Sequence, residues 1–240
     1  MEISDFIKKN YSEKSYGKYL LYLEFENFFR NLDISKELNI GLLGGSRNQP
    51  EVQILNNLGF ELKITTLGIE DDDDYYLDLN KTYEKIDHEF DLIICTQVLE
   101  HIWNHKSFFE NIANAIRKEG LVYLDCPKSN KTHMEPNYYS SGFTSKYLSK
   151  NLENVGLNTL HEGEVGSEVL YKSIHMTQSW YSKRDIENRY RFNSKNFFFR
   201  LKHLLKLSNL GQYLVLKRNL DRDTSNFKTM SYVVAKKETL

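Results

Sequence analysis

Three groups of residues have the types and spacing to do chemistry. The first is Gly41-Leu42-Leu43-Gly44-Gly45-Ser46, followed by a helical pattern from Pro50-Glu51. Glycine lets a backbone turn tightly and approach a ligand, and a helix start offers free N–H groups to an anion. No Gly-Lys-Ser/Thr follows, which excludes a phosphate-cradling P-loop, and a purely structural glycine turn is the competing reading. The second group is acidic. Glu70 stands 25 residues after Gly45, and an acid ~20 residues past a glycine turn, at the end of the next strand, accepts hydrogen bonds from ribose hydroxyls. Asp71 is its close rival, while Asp72, Asp73 and Asp74 read as a solvated acidic loop. The third group is His101 and His133, whose imidazoles suit removal of a proton from a hydroxyl. A capping role for His101 and a merely exposed loop around His133 (129–136) are the bland alternatives.

These side chains need elements that hold them together. Apolar bursts at Ile40-Gly41-Leu42-Leu43, Leu62-Lys63-Ile64-Thr65, Phe90-Asp91-Leu92-Ile93-Ile94-Cys95 and Leu121-Val122-Tyr123-Leu124 predict strands. Helical spacing lies between them at 51–58 and 106–117, where Phe108, Ile112, Ala115 and Ile116 share a face. Alternation of this kind is the sequence form of an α/β, Rossmann-like doubly wound sheet, mostly parallel. Met230–Lys236 reads as a late strand, antiparallel in the fold class expected. Residues 1–37 read as N-terminal helices, 38–165 and 226–240 as the core, and 166–225 as a basic helical insertion or lid.

Composition narrows the function. The chain has 240 residues, 40% hydrophobic and 27% charged, with a formal net charge of −1. That balance speaks against a dedicated nucleic-acid binder. No run approaches the ~18 apolar residues of a membrane span, and the start lacks a signal-peptide pattern. Two cysteines, Cys95 and Cys126, exclude a disulfide framework and suit a reducing, cytoplasmic home. From 182 to 222, eleven Lys/Arg against three acids give +8, which leaves −9 for the rest of the chain.

The order of motifs adds a family. Phe90-Asp91-Leu92-Ile93 leads into Val98-Leu99-Glu100-His101, then a helix, then Glu119-Gly120 and a strand ending at Pro127. Gly142-Phe143-Thr144, Tyr147-Leu148 and Val155-Gly156-Leu157 follow. This succession resembles the class I S-adenosylmethionine-dependent methyltransferases, in the group that includes the ubiquinone-biosynthesis O-methyltransferases. The resemblance spans about residues 38–160 and implies S-adenosylmethionine as cofactor. It implies that Gly41, Gly44, Gly45 and Ser46 turn beneath the methionine part and that Glu70 holds the ribose. It also implies that Asp78 and Leu79, at the end of a third strand, meet the adenine. It implies as well that Thr96 and Gln97 line the sulfonium and carboxylate side. The glycines are spaced differently from the family's first motif, and Leu42 or Leu43 stands where a strand-end acid is usual.

The chemistry so implied is methyl transfer to a hydroxyl of a small molecule, with His101 and His133 as candidate bases. A sugar of a surface-polysaccharide pathway is the first expectation for the acceptor and a quinone precursor the second. A non-catalytic module of the same fold that serves a partner is the rival. Some relatives bind metal through Glu-x-x-Glu-His, but the first position here is Gln97, so no metal is assigned to Glu100, His101 and His133. In the basic segment, 197–207 fits an amphipathic helix. A helix packed on the core, a lid meeting a phosphate-bearing acceptor such as a nucleotide sugar or lipid-linked sugar, and peripheral contact with an anionic inner-membrane surface are its three readings. Tyr213-x-x-x-Lys217 has the spacing of nicotinamide-dependent reductases but lies too late in the chain to serve as their pair.

Overall fold

The computed structural model describes residues 2–11, 16–83, 86, 89–130, 132–166, 207–219 and 228–238. The chain divides into two units, Met1–Leu20 with Gly166–Phe227, and Leu21–Val165 with Lys228–Leu240. The first contains helix α1 (Ile3–Asn10), the start of α2 (Tyr19–Arg30) and a helix at Leu207–Asn219. In it the rings of Phe6 and Tyr19 meet edge-on at 5.4 Å, and Tyr16 lies 5.5 Å from Tyr213. Lys217 reaches Glu2 at 3.6 Å, so Tyr213 and Lys217 serve this helical unit. The segment 197–206, and most of the basic insertion, lie outside the described residues. The division falls within helix α2, between Leu20 and Leu21.

The second unit is a seven-stranded sheet. Its strands are β1 (Glu37–Leu43), β2 (Glu61–Gly68), β3 (Tyr75–Tyr76), β4 (Phe90–Thr96), β5 (Ile116–Pro127), β6 (Leu157–Val165) and β7 (Met230–Lys237). They run in the order β3-β2-β1-β4-β5-β7-β6. Pairing is parallel from β3 through β5, and β7 is antiparallel to both β5 and β6. This is the mostly parallel, doubly wound architecture expected. Chain order reverses between β1 and β4, and at such a switch point the connections diverge and leave a crevice at the carboxyl ends.

Strands β4 and β5 are apolar on both faces because helices cover both. On one side Ile93, Cys95, Val122 and Leu124 join Phe108, Phe109 and Ile112 of α4 (His105–Ala115) in one cluster. Leu148 and Leu152 of α5 (Ser145–Asn154) complete that side. By strand alternation Tyr123 and Asp125 point to the other face. There the Tyr123 ring stands edge-on to Phe25 of α2 at 4.7 Å.

Four local expectations are corrected. Ile116 and Arg117 belong to β5, not to α4; Lys237 Nζ donates to the carbonyls of Ala113 (2.7 Å) and Ile116 (2.9 Å) and so caps the helix end. Strand β3 ends at Tyr76, so Asp78 and Leu79 lie in a loop. The reason is local: Asp78 Oδ1 accepts the Asn80 N–H at 3.0 Å, an Asx turn that competes with a ladder. Gly41 lies inside β1, paired with Thr65 and Ile93, and not in the turn. A Cβ there would stand 2.9 Å from the Phe90 ring, so packing requires this glycine. Asp73 and Asp74 are structural acids, as described below.

Candidate active site at the carboxyl edge

Three strand ends converge at the switch point. Gly44 leaves β1 with φ +62° and donates its N–H to the Leu67 carbonyl at 2.9 Å. A Cβ on Gly44 would meet Val98 at 2.8 Å, so the turn after β1 packs directly against the segment after β4. Beyond it Gly45 and Ser46 lead to α3 (Pro50–Asn57), with Ser46 exposed. Val98 and Gln49 fill the space that Cβ atoms would take at Gly44 and Gly45, and what the turn leaves to a ligand is the exposed stretch at Gly44 and Ser46.

Glu70 lies two residues past the end of β2 and is exposed. Its N–H donates to Asp73 Oδ2 at 3.0 Å, while the Thr66 N–H donates to Asp74 Oδ2 at 2.8 Å. That backbone hydrogen bond, reinforced by Arg47, holds the Asp74 carboxyl below its ordinary range. The acidic run is therefore not simply solvated: two of its acids fold the loop that presents Glu70. Asp78 sits in the next loop, 3.4 Å from Lys81, and Leu79 is buried in the apolar cluster.

After β4, whose last residue is Thr96, Gln97 adopts φ +56°. Its N–H donates to the Asp125 carbonyl at 3.0 Å, and its side-chain amide donates to Asp125 Oδ1 at 2.6 Å. Asp125 is 1% exposed, and the sequence reading passed over it. Burial, with Asp125 and Glu51 nearby, pushes the Tyr123 phenol far above its ordinary value, so it remains an O–H. Cys95 and Cys126 are free and buried, and burial likewise raises their thiols.

His101 ends a short 3-10 turn, Leu99–His101. Its Nδ1 lies 2.5 Å from the Asn137 carbonyl, a partner that can only accept. Nδ1 therefore carries the proton in the neutral ring, and Nε2 keeps its lone pair. Nε2 stands 3.9 Å from Glu100 Oε1, with the Glu100 side chain 1% exposed. Backbone N–H groups of Tyr139 (2.9 Å) and Ser140 (3.3 Å) donate to the Glu100 carbonyl and dock the 137–140 loop here. The His133 ring lies 4.9 Å from both His101 and Tyr138. Both predicted histidines thus come together, and sequence reasoning missed Asn137 and Asn80. Asn80 Oδ1 accepts the N–H groups of Trp103 (2.9 Å) and Asn104 (3.2 Å), tying the loop after β3 to the start of α4.

His105 shows what a structural histidine looks like. Its Nε2 faces the Ile102 carbonyl at 2.9 Å and its Nδ1 the Tyr147 hydroxyl at 2.7 Å. Burial lowers its pKa from the ordinary 6.5. Both nitrogens are occupied, so no lone pair is left for chemistry. Among the described residues, Glu100, His101 and His133 also place their ligand atoms within 4.8 Å of one another. One carboxylate and two imidazoles suit a borderline divalent ion, whereas Gln97 turns its amide to Asp125 instead.

Residues 77–124 match the family model described as a methyltransferase domain. No curated protein matches the chain at a significant level. Solved structures share the fold. The cyclase SpnF superposes with a TM-score of 0.55 at 11% identity, covering 91% of this chain and 81% of its own. Coclaurine N-methyltransferase, bound to N-methylheliamine and S-adenosylhomocysteine, gives 0.51 at 12%, covering 90% and 72%. Phosphoethanolamine N-methyltransferase 2 of Haemonchus contortus, in complex with S-adenosyl-L-methionine, gives 0.51 at 11%, covering 100% and 60%. The sheet unit therefore has the Rossmann-like methyltransferase fold. The family match runs from the loop after β3 into β5 and does not extend to the glycine turn. Among the described residues no helix is long and apolar enough to cross a membrane.

Proposed function

We propose that this chain is an S-adenosylmethionine-dependent methyltransferase acting on a hydroxyl of a small molecule, with a sugar hydroxyl as the first acceptor class. The observation that carries the reading is His101, whose Nδ1 is held by the Asn137 carbonyl and whose Nε2 lone pair stands beside the buried Glu100. The turn at Gly44, Gly45 and Ser46 would hold the methionine half of the cofactor, Glu70 the ribose, Asp78 and Leu79 the adenine side, and Thr96 and Gln97 the sulfonium and carboxylate side. The cofactor, when bound, supplies a methyl group already activated on sulfur. The protein then supplies orientation and a base. His101 Nε2 takes the hydroxyl proton as the acceptor oxygen attacks, and the Glu100 carboxylate stabilises the imidazolium that results. The rings of His133 (4.9 Å) and Tyr138 (5.9 Å) stand beside His101.

An amine acceptor that arrives unprotonated attacks through its lone pair and sheds its proton only afterwards, whereas a hydroxyl needs its proton taken as it attacks, so a histidine with one committed and one open nitrogen supports oxygen over nitrogen. A phosphate-bearing sugar acceptor and a role for the basic segment remain parts of this proposal. The expected result is release of S-adenosylhomocysteine when the protein meets S-adenosylmethionine and a nucleotide-sugar panel, abolished in His101→Ala. A second reading, a module of this fold without methyl transfer, draws support from the missing strand-end acid at Leu43 and from the cyclase name of SpnF. Calorimetry with S-adenosylmethionine separates the two when combined with turnover: no binding heat sinks the enzyme, and binding without turnover on any acceptor favours the module.

A further inference from the structure

We propose that Trp103 is a specificity-determining residue, the platform on which the ring of a sugar acceptor stacks while one of its hydroxyls meets His101. This deepens the function proposed above and rests on it. Trp103 is 62% exposed. A lone exposed ring on a surface needs no explanation, but this one is not scattered. Among the described residues of the sheet unit, the exposed large apolar side chains are Ile69, Tyr76, Trp103, Met134, Tyr139 and Leu160. The first five lie at or beyond the carboxyl ends of β2, β3, β4 and β5, along the edge that holds the candidate site. Leu160 alone lies within a strand away from it, in β6.

Three features tie the indole to the site. The first is direction. The backbone at Ile102 is extended (φ −104°, ψ 129°), and the Ile102 side chain is buried in the apolar cluster. In an extended stretch the neighbouring side chains project to the opposite side. His101 and Trp103 therefore both point away from the core that holds Ile102, with Cα atoms at most ~7 Å apart. One ring can lie on the indole and bring a hydroxyl to the imidazole. The second feature is rigidity. The Trp103 and Asn104 N–H groups share Asn80 Oδ1 at 2.9 and 3.2 Å, and the Asn104 amide donates back to the Asn80 carbonyl at 3.0 Å. Asn104 also caps α4 by accepting the Ser107 N–H at 3.3 Å. A platform fixed by its backbone loses little freedom when a ligand covers it. The third is the neighbouring loop. From Ser129 to Ser141 it contains no Leu, Ile, Val or Phe and offers Asn, Thr, Ser, His and Tyr instead. Its Tyr139 N–H docks on the Glu100 carbonyl, beside His101. A sugar has an apolar C–H face for an indole and a rim of hydroxyls for such polar groups. An apolar quinone precursor would need aliphatic walls.

The test is acceptor kinetics on a panel of UDP- and dTDP-hexoses, with catechol as the planar comparison. In Trp103→Ala the KM for the hexose that is methylated should rise about ten- to a hundredfold, while kcat changes by less than about threefold. Trp103→Phe should recover most of the loss. Calorimetry with S-adenosylhomocysteine should give the same affinity for both variants as for the wild type. The chain has two tryptophans, so Trp180→Phe leaves Trp103 as the single indole, and the same hexose should then change its fluorescence. An unchanged KM in Trp103→Ala overturns the proposal, as does an unchanged fluorescence. A loss of S-adenosylhomocysteine affinity also overturns it, by placing the indole on the cofactor. If the wild type methylates catechol but no hexose, the sugar platform is overturned while methyl transfer stands. If it methylates neither, the functional reading and the proposal fall together.

Discussion

The two halves of the carboxyl edge are built in opposite ways. Around the turn after β1, side chains serve the backbone: Asp73 and Asp74 accept main-chain N–H groups, and Gln49 caps Ser46. What this half offers a ligand is mostly main chain. After β4 and β5 the backbone serves the side chains. The Asn137 carbonyl orients the His101 ring, and the loop that carries it is docked backbone to backbone, with the Tyr139 and Ser140 N–H groups on the Glu100 carbonyl. In the function proposed above a bound nucleoside would need a shaped, close surface and proton removal one nitrogen in one protonation state, and the contrast suits those two demands.

The largest test of that division is His101→Ala. Turnover on a hydroxyl acceptor should fall about 10²–10⁴-fold while calorimetric affinity for S-adenosylmethionine stays within error; a parallel loss of affinity would break the division. Gly44→Ala should do the reverse. A side chain at φ +62° that also meets Val98 at 2.8 Å should cost about 1–3 kcal/mol of stability in chemical denaturation, and cofactor binding should go with it. Gly41→Ala should lose a similar about 1–3 kcal/mol through the Phe90 ring yet retain binding once folded. Adding Phe90→Leu should recover part of that loss, and no recovery would show that Phe90 is not the obstacle.

The smallest effect concerns His105. Its folded pKa lies below 6.5, so as pH falls past that value the unfolded chain takes up the proton first. Stability contributed above the ordinary imidazole value is thus lost toward the lower folded value. The drop in melting temperature between about pH 7.5 and about pH 5.5 should be smaller in His105→Gln than in the wild type. An unchanged drop would assign the acid sensitivity to other groups.

Most of the sheet was legible in the sequence because β4 and β5 are buried on both faces and read as continuous apolar runs. Val98-Leu99-Glu100-His101 was legible for a related reason: the element and its chemistry share one short stretch. What was missed depends on distant partners or on side chains that fold onto their own loop. Asn137 lies 36 residues from His101, and Asp125 lies 28 from Gln97. No spacing rule connects such pairs. Gly41 looked like part of the turn because its demand comes from Phe90 on a neighbouring strand. Asp78 interrupts β3 by binding the N–H two residues on, a choice that the apolar pattern at Leu77 and Leu79 conceals.

One consequence follows from the atom that orients His101. A carbonyl oxygen is contributed alike by every amino acid, so the identity of residue 137 is open to exchange without disturbing the imidazole. The length of the connection between Pro127 and Tyr139 has no such latitude. One residue inserted or deleted there would slide a different oxygen, or none, beneath the ring, and the proton would lose its assigned nitrogen.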